Sequence, residues 1–109
     1  MNLTTQQIRR INDTLRQSLC AVTVEGVEGK LLLSSGVCAY PAEVVARLLR
    51  EVVQFKDFNQ SNDQHGEHDM GAISLVGQKF YWKFSYYDSD CQYFGHEIHT
   101  LLIMKAEEY

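Results

Sequence analysis

The sequence predicts an α+β fold in which two helices pack on one face of a mostly antiparallel sheet of about five strands. Two segments carry apolar residues at helical spacing, and three others are rich in β-branched and aromatic residues. Their order along the chain is α-β-β-α-β-β-β. Since 109 residues suffice for one core, we expect a single α+β domain spanning residues 1–109.

The first helix is predicted from the segment TTQQIRRINDTLRQSL. Thr4 and Thr5 are candidate N-caps, because a threonine hydroxyl accepts a hydrogen bond from a free amide of the first turn. Apolar residues recur at helical spacing and arginines lie between them: Ile8, Ile11, Leu15 and Leu19, with Arg9, Arg10 and Arg16. The pattern predicts an amphipathic helix with a solvated basic outer face.

A hairpin of two short strands is predicted next, from the segment CAVTVEGVEGKLLLSSGV. Apolar and β-branched residues dominate this segment, and Gly26 and Gly29 interrupt them as turn residues. We therefore expect two antiparallel strands on either side of the glycines.

The second helix is predicted from YPAEVVARLLREVVQF. Pro41 suits a first helical turn, and Glu43 lies where the helix dipole favours negative charge. One face carries an apolar stripe formed by Val44, Val45, Leu48, Leu49, Val52 and Val53. The segment KDFNQSNDQHGEH after it has no apolar periodicity and is predicted to be a loop, long enough to have a function of its own.

The rest of the chain has a β pattern. MGAISLVGQKFYWKFSYYD reads as two strands joined near VGQ. Two rows alternate in the second of these strands, which places one row on the core and the other on the opposite face: Phe80, Trp82, Phe84 and Tyr86 against Tyr81, Lys83, Ser85 and Tyr87. The closing IHTLLIMKAEEY is compatible with a strand or a short helix, and its unbroken apolar run favours a buried strand.

Composition and charge argue against a membrane-spanning, secreted or disulfide-linked protein. No apolar run is long enough to span a membrane and no signal-peptide pattern starts the chain, so we expect a cytoplasmic protein. The three cysteines lack metal-site spacing and are expected to be reduced, mostly buried thiols. Residues 57–109 carry three basic and nine acidic side chains, a net charge of -6. Such a half repels nucleic acid and favours a basic partner, although negative charge also simply aids solubility.

Several motifs in the second half resemble a family of small bacterial proteins of unknown function, often encoded on plasmids, integrated elements and phages. The stretch GEHDMGAISLVGQKFYWKFSYYD and the closing LLIMKAEEY are similar to that family's GEHDFG, WKIDYYD and LTIMLAEEY patterns. The match runs from about Asn62 to Tyr109. It falls on Gly66, Glu67, His68, Asp69, Gly71, Trp82, Lys83, Tyr86, Tyr87, Asp88, Glu107, Glu108 and Tyr109. His65, Met70 and Ser85 depart from the usual tyrosine, phenylalanine and aspartate.

Two H-x-x-H pairs are candidate metal ligands, His65 with His68 and His96 with His99. Imidazole is the commonest zinc ligand, and two pairs brought together could form a tetrahedral site. Structural zinc sites usually have tighter signatures, so no cofactor is expected and zinc remains the less favoured alternative.

Glu67, His68 and Asp69 are candidates for an acid–base site, in which a carboxylate orients a histidine. The alternative is structural: these side chains hydrogen-bond the loop and fix it where it leads into the hairpin. Neighbouring residues of a strand point to opposite faces, which weakens a direct triad.

A candidate binding surface comprises Tyr81, Lys83, Tyr87, Asp88 and Asp90. Exposed tyrosines beside acidic groups form good contact surfaces, because tyrosine supplies a large area at a small entropy cost. Direct nucleic-acid binding is not expected, since this half lacks the basic residues needed to follow a phosphate backbone.

These patterns lead to one main functional hypothesis. We expect a small acidic protein-binding module, monomeric or homodimeric, that blocks a partner with a basic nucleic-acid-binding surface. The resemblance implies a mobile-element accessory or counter-defence role, such as an anti-CRISPR-like inhibitor. The alternative is a small metal-binding or acid–base enzyme centred on the GEHD motif.

Overall fold

The computed structural model describes residues 3–109, and its α+β class agrees with the prediction. Within these residues there are three helices and four strands, followed by a short 3-10 helix. Their bounds are α1 Thr5–Gln17, β1 Glu28–Leu33, α2 Ser35–Cys38, α3 Ala42–Gln54, β2 Met70–Leu75, β3 Gln78–Tyr87, β4 Ile98–Lys105 and 3-10 Ala106–Glu108. None of the helices in residues 3–109 has the length and apolarity to cross a membrane.

The strands form one mixed sheet in the order β1-β4-β3-β2. β3 runs antiparallel to both of its neighbours, whereas β1 runs parallel to β4, from the pair Glu28–Ile98 to the pair Leu33–Ile103. The prediction of about five mostly antiparallel strands was therefore close, but it included one strand too many and missed the parallel pairing. The predicted closing strand is confirmed as β4.

The predicted first hairpin does not form, because its first arm is too short. Val24 and Val27 make a single bridge across a tight turn, in which Glu25 and Gly26 have φ values of 51° and 81°. Leu19 and Cys20 also have positive φ, so the chain turns twice between α1 and β1. The remaining strand, β1, pairs instead with β4 at the far end of the sequence.

The first helix begins as predicted and ends earlier. The Thr4 hydroxyl accepts from the Gln7 amide while the Gln7 side chain accepts from the Thr4 amide, which is a capping box. The helix ends at Gln17, and Leu19 already lies in the following turn. Ile8, Ile11 and Leu15 are buried, as the spacing predicted.

A third helix, α2, was not predicted. The Ser34 hydroxyl caps it by accepting from the Val37 amide. The carboxylate of Glu108 in turn accepts from the Ser34 hydroxyl at 2.6 Å and from the Gly36 amide at 3.1 Å. These two hydrogen bonds connect the 3-10 helix after β4 to the first turn of α2.

The core lies on one face of the sheet, where α1, α2 and α3 all contribute buried residues. It consists of Ile11, Leu15, Val27, Val37, Leu48, Val52, Ile73, Leu75, Phe80, Trp82, Phe84, Leu101 and Ile103. The predicted alternation in β3 is confirmed for Phe80, Trp82 and Phe84, which are at most 3% exposed. Burial of these side chains provides the main favourable contribution to folding.

The cysteines depart from the expectation of mostly buried thiols. Cys20 is partly buried, and burial raises the pKa of its thiol to about 11. Cys38 and Cys91 are exposed, and all three are free. The expected burial is therefore found only for Cys20, and there only in part.

Candidate functional site

The GEHD loop, residues 55–69, is fixed onto α1 through His68. The His68 backbone has a φ of 52°, and its amide donates to Asp63 Oδ1 at 3.0 Å. Its ring stacks on Phe58 with 3.7 Å between centroids, and Nδ1 lies 2.9 Å from Asp13 Oδ1. Nε2 lies 3.6 Å from Asp63 Oδ2. Both ring nitrogens of His68 therefore face carboxylates of the same chain.

Asp13 connects this loop to a buried arginine. Arg16 Nη2 donates to Asp13 Oδ1 at 3.1 Å, and the Arg16 residue is 1% exposed. Its Nη1 donates to three backbone carbonyls at the end of α3, those of Val52, Val53 and Phe55, at 2.9 to 3.2 Å. A cation suits this position, because the last carbonyls of a helix are unpaired and carry partial negative charge. The prediction that Arg16 belongs to a solvated basic face is wrong for this reason.

A second chain of hydrogen bonds starts at the neighbouring residue, Asn12, which is fully buried. Its Nδ2 donates to the Glu67 carbonyl at 3.1 Å and to Tyr86 Oη at 3.0 Å. Its Oδ1 lies 2.8 Å from His99 Nδ1, and His99 Nε2 lies 3.0 Å from His96 Nδ1. Tyr86 Oη donates to Glu67 Oε1 at 3.0 Å. Four hydrogen bonds thus join His96 to the carboxylate of Glu67.

The hydrogen bonds from His96 to Glu67 all donate in a fixed direction when both imidazoles are neutral. Asn12 Oδ1 can only accept, so His99 carries its proton on Nδ1 and its Nε2 must accept from His96 Nδ1. The oxygen and nitrogen of the Asn12 amide are assigned from this network. With that assignment, the contacts from Asn12 to Tyr86 and from Tyr86 to Glu67 also pair one donor with one acceptor. Each of the four contacts among the five side chains therefore pairs one donor with one acceptor.

Burial keeps the two histidines in this neutral form. It lowers the pKa of His99 to about 4, and the neighbouring His96 adds to the effect. Burial also lowers the pKa of His96. It raises the pKa of Tyr86, whose hydroxyl accordingly remains a donor. At neutral pH the two histidines and the tyrosine are therefore uncharged, as this pattern of donors and acceptors requires.

The predicted acid–base residues do not meet at one point. Glu67 is bonded to Tyr86, His68 to Asp13, and the Asp69 backbone carbonyl accepts from the Phe84 amide. These contacts fix the loop where it leads into β2, which is the structural alternative of the sequence analysis. Asn12 and Asp13 were not identified as site residues, although Asn12 lies four residues after Ile8 within the apolar stripe.

The four histidines also occupy separate places. His96 and His99 bond each other, His68 bonds Asp13, and His65 is exposed. Among residues 3–109, no three His, Cys, Asp or Glu side chains are arranged to hold a metal ion. The pairs therefore have different surroundings despite their equal spacing.

The predicted binding surface divides between the sheet and a loop. Tyr81, Lys83 and Tyr87 lie on the face of the sheet away from the core, all partly exposed. Asp88 and Asp90 lie in the acidic loop, residues 88–97, between β3 and β4. Three lysines share the outer face with the tyrosines, Lys30, Lys79 and Lys83, so this face is less acidic than the sequence of the second half suggests.

The acidic loop is ordered by Asp88. Its Oδ1 accepts from three amides of the loop, those of Asp90, Gln92 and Tyr93, at 3.1 to 3.4 Å. The Asp88 amide donates to the Tyr93 carbonyl at 2.8 Å, and the Glu97 carboxylate accepts from the Ser89 amide. The loop therefore holds its shape through its own hydrogen bonds.

Two large aromatic side chains project from this ordered loop. Tyr93 is 71% exposed and Phe94 is 77% exposed. Asp90 and Glu97 are exposed acidic residues of the same loop, and the exposed Glu28 joins the loop through its amide, which donates to the Glu97 carbonyl at 3.0 Å. We call these residues, with Asp88, the acidic loop patch. The aromatics were missed because they lie in a run of turn formers without strand or helix periodicity.

Comparison with known proteins identifies a family and no activity. A family model described as a protein of unknown function, DUF3768, matches residues 33–100, well over half of the chain. No curated protein and no solved structure shows significant similarity to the chain. The function must therefore be inferred from the geometry of the site.

Proposed function

The chain belongs to the DUF3768 family of proteins of unknown function, and from its geometry we propose that it is a protein-binding module that uses the acidic loop patch. The observation that carries the proposal is the exposure of Tyr93 and Phe94, at 71% and 77%, on a loop that is otherwise held by internal hydrogen bonds. Aromatic side chains of this kind are the usual anchors of protein interfaces.

The order of the loop supports a binding role. Because Asp88 already fixes the loop backbone, a partner that takes up Tyr93 and Phe94 has little conformational freedom to remove. Immobilising flexible side chains and loops is one of the main costs of association. A preorganised aromatic pair therefore favours useful affinity from a small surface.

The charge of the patch indicates the class of partner. Asp90 and Glu97 share the loop with the aromatics and Glu28 is bonded to it, so a basic surface complements the patch and a phosphate backbone does not. We propose that the partner handles nucleic acid and that the patch competes for its basic groove. The resemblance to proteins of mobile elements supports a counter-defence role for such an inhibitor.

Acid–base chemistry at the GEHD loop is the less favoured function. Both ring nitrogens of His68 face carboxylates of the chain, which leaves neither directed towards a substrate. A general base must reach the proton that it removes. The contacts of His68 thus favour a structural role over a catalytic one.

The test is crosslinking capture of partners with wild-type protein and the double variant Tyr93→Ala/Phe94→Ala. We expect the variant to lose at least about tenfold in affinity for the captured partner. Leu32→Ala is the matched control, because Leu32 is a large apolar side chain that is 49% exposed and lies outside the patch. Asp90→Asn should weaken binding mainly at low salt, where charge attraction is strongest.

The partner should also be displaced from nucleic acid by the wild-type protein. If the double variant binds and competes as well as Leu32→Ala does, the patch is not the binding surface. If the captured partner has no basic surface and its binding ignores salt, the proposed class of partner is wrong.

A further inference from the structure

Within the part of the chain that the structure describes, the edge strand β2 carries unpaired backbone groups on its free side. Phe84 donates its amide to the Asp69 carbonyl, which sets the ladder so that Gly71 and Ile73 face β3. The amides and carbonyls of the alternate residues, Met70, Ala72 and Ser74, therefore point away from the sheet. A free edge of this kind can pair with another extended chain.

The β2 edge lacks the features that usually prevent such pairing. Its sequence, MGAISL, contains no charged residue and no proline. The opposite edge strand, β1, carries Glu28 and Lys30, and charged side chains on an edge discourage strand addition. The two edges of the sheet are thus protected differently.

A groove runs along the unprotected edge. It has a volume of about 430 Å³ and is bounded by Met70, Gly71 and Ala72 on one side and by the polar segment Asp57–Asn62 on the other. Tyr81 and Tyr109 complete its wall. This volume lies within the usual range of ligand sites, about 300 to 1,000 Å³.

The polar wall of the groove restricts what can enter. Asn59 Oδ1 accepts from the Ser61 and Asn62 amides, and Asn62 Nδ2 donates to the Asp57 carbonyl at 2.8 Å. The wall is therefore braced by its own hydrogen bonds. A single extended chain fits between such a wall and the edge more readily than the folded edge of a second sheet.

The groove also has a charge preference. Asp57 carries the one carboxyl side chain among the described residues that line the groove, and Asp57 is exposed. A lysine or arginine in the entering segment would complement it.

We propose that the β2 edge binds an extended peptide segment of a partner protein, which adds as a fifth strand and places a basic side chain near Asp57. Backbone hydrogen bonds to Met70, Ala72 and Ser74 supply the affinity, and the tyrosine wall selects apolar side chains. The surface shares no residue with the acidic loop patch, so the proposal is independent of the proposed function.

The only tryptophan of the chain is placed to report binding. A Cβ added to Gly71 would lie 2.5 Å from Trp82 Nε1 and 2.8 Å from Phe55 Cζ, so the indole lies against two residues of the groove. Within residues 3–109 its N–H has no acceptor. Filling the groove should shift the indole resonance and change the fluorescence.

The experiment selects binders from a phage library of random linear peptides and measures the enriched peptides by titration. We expect enriched sequences to contain a basic residue beside alternating apolar residues. Binding should shift the amides of Met70, Ala72 and Ser74 and the Trp82 indole together, saturating at one peptide per chain. A library without saturable binders, or binders that shift only other residues, would overturn the proposal.

Two variants with matched controls locate the contact. Ala72→Pro removes one outward amide without loss of a ladder bond, and should weaken binding at least about fivefold, whereas Ala72→Val keeps the amide and the affinity. Asp57→Asn should weaken peptides with a basic residue by about two- to fivefold, while Glu51→Gln on the exposed face of α3 should not. Equal binding by Ala72→Pro and Ala72→Val, or by Asp57→Asn and Glu51→Gln, contradicts the proposal. A chain that sediments as a dimer and is dissociated by Ala72→Pro would replace the peptide with a second copy.

Discussion

The GEHD loop and the acidic loop have similar compositions and opposite orientations. Both are rich in carboxylates and turn formers, and each contains the first histidine of an H-x-x-H pair. The GEHD loop turns His68 and Glu67 inwards onto α1 and β3. The acidic loop turns Tyr93 and Phe94 outwards. The difference lies in the bonding partners. Asn12 and Asp13 of α1 bond the first loop, whereas Asp88 bonds the amides of its own loop and only the end of that loop, at His96 and Glu97, bonds the sheet.

The inward-facing residues of the GEHD loop stabilise the fold, whereas the outward-facing aromatics of the acidic loop are available for binding. A polar side chain bonded to buried partners cannot be removed without leaving those partners unsatisfied. An exposed side chain on a loop that holds its own shape can be removed at little cost. The same substitution should therefore have very different consequences in the two loops.

The largest effect is expected from Arg16→Met, which removes the cation beneath the GEHD loop. The change removes the Arg16 donor from the carbonyls of Val52, Val53 and Phe55 and leaves Asp13 without its buried partner. We expect a loss of about 3 to 5 kcal/mol in the free energy of unfolding, measured by urea denaturation. Arg9→Met, on the more exposed side of α1, should lose less than about 0.5 kcal/mol. Similar losses for the two variants would show that the buried network adds little to stability.

A smaller effect should come from lowering the pH. The pKa of His99 is 6.5 in its ordinary state and about 4 in the fold, so between these values the unfolded chain binds more protons. The titration of His99 therefore leaves the free energy of unfolding unchanged above pH 6.5. As the pH falls from 6.5 towards 4, this free energy decreases, by at most about 3 kcal/mol in total.

The measurement is the free energy of unfolding across this range for wild type and His99→Gln. The glutamine cannot titrate, so the part of the pH dependence that belongs to His99 should disappear in the variant. Identical slopes for the two proteins would show that the burial of His99 is not coupled to stability.

The smallest effect is expected in the acidic loop. Tyr93→Ala/Phe94→Ala should change the free energy of unfolding by less than about 0.5 kcal/mol, because both side chains are mostly exposed. Thermal and urea unfolding measure this directly. A large loss would mean that the aromatics serve the fold, and it would remove the main support for the proposed binding role.

Features with local periodicity could be predicted from the sequence. The alternation of Phe80, Trp82 and Phe84 and the stripe of Ile8, Ile11 and Leu15 follow from the repeat of a strand and of a helix. These patterns are complete within a few residues, so no knowledge of distant partners is needed. The outward aromatics of the acidic loop have no such repeat and were not identified.

Features that depend on distant partners could not be predicted. Nothing in the segment EGKLLL indicates that β1 pairs in parallel with β4, some 70 residues further along the chain. Asn12 stands out in the sequence as a polar residue in an apolar stripe, which indicates a buried polar group. Its partner His99 could not be predicted, because it is 87 residues away. Arg16 looked like a surface residue because its acceptors, the carbonyls at the end of α3, are invisible in side-chain patterns.

The parallel pairing of β1 with β4 has a consequence for the order of folding. β4 is the last strand along the chain, yet it lies inside the sheet between β1 and β3. The β2–β3 hairpin can form early, because its strands are joined by a two-residue turn, whereas β1 has no sheet neighbour until β4 has been synthesised. Long-range pairing of this kind slows folding. During translation, the apolar side chains of β1 therefore lack their neighbours in the sheet until β4 has been made.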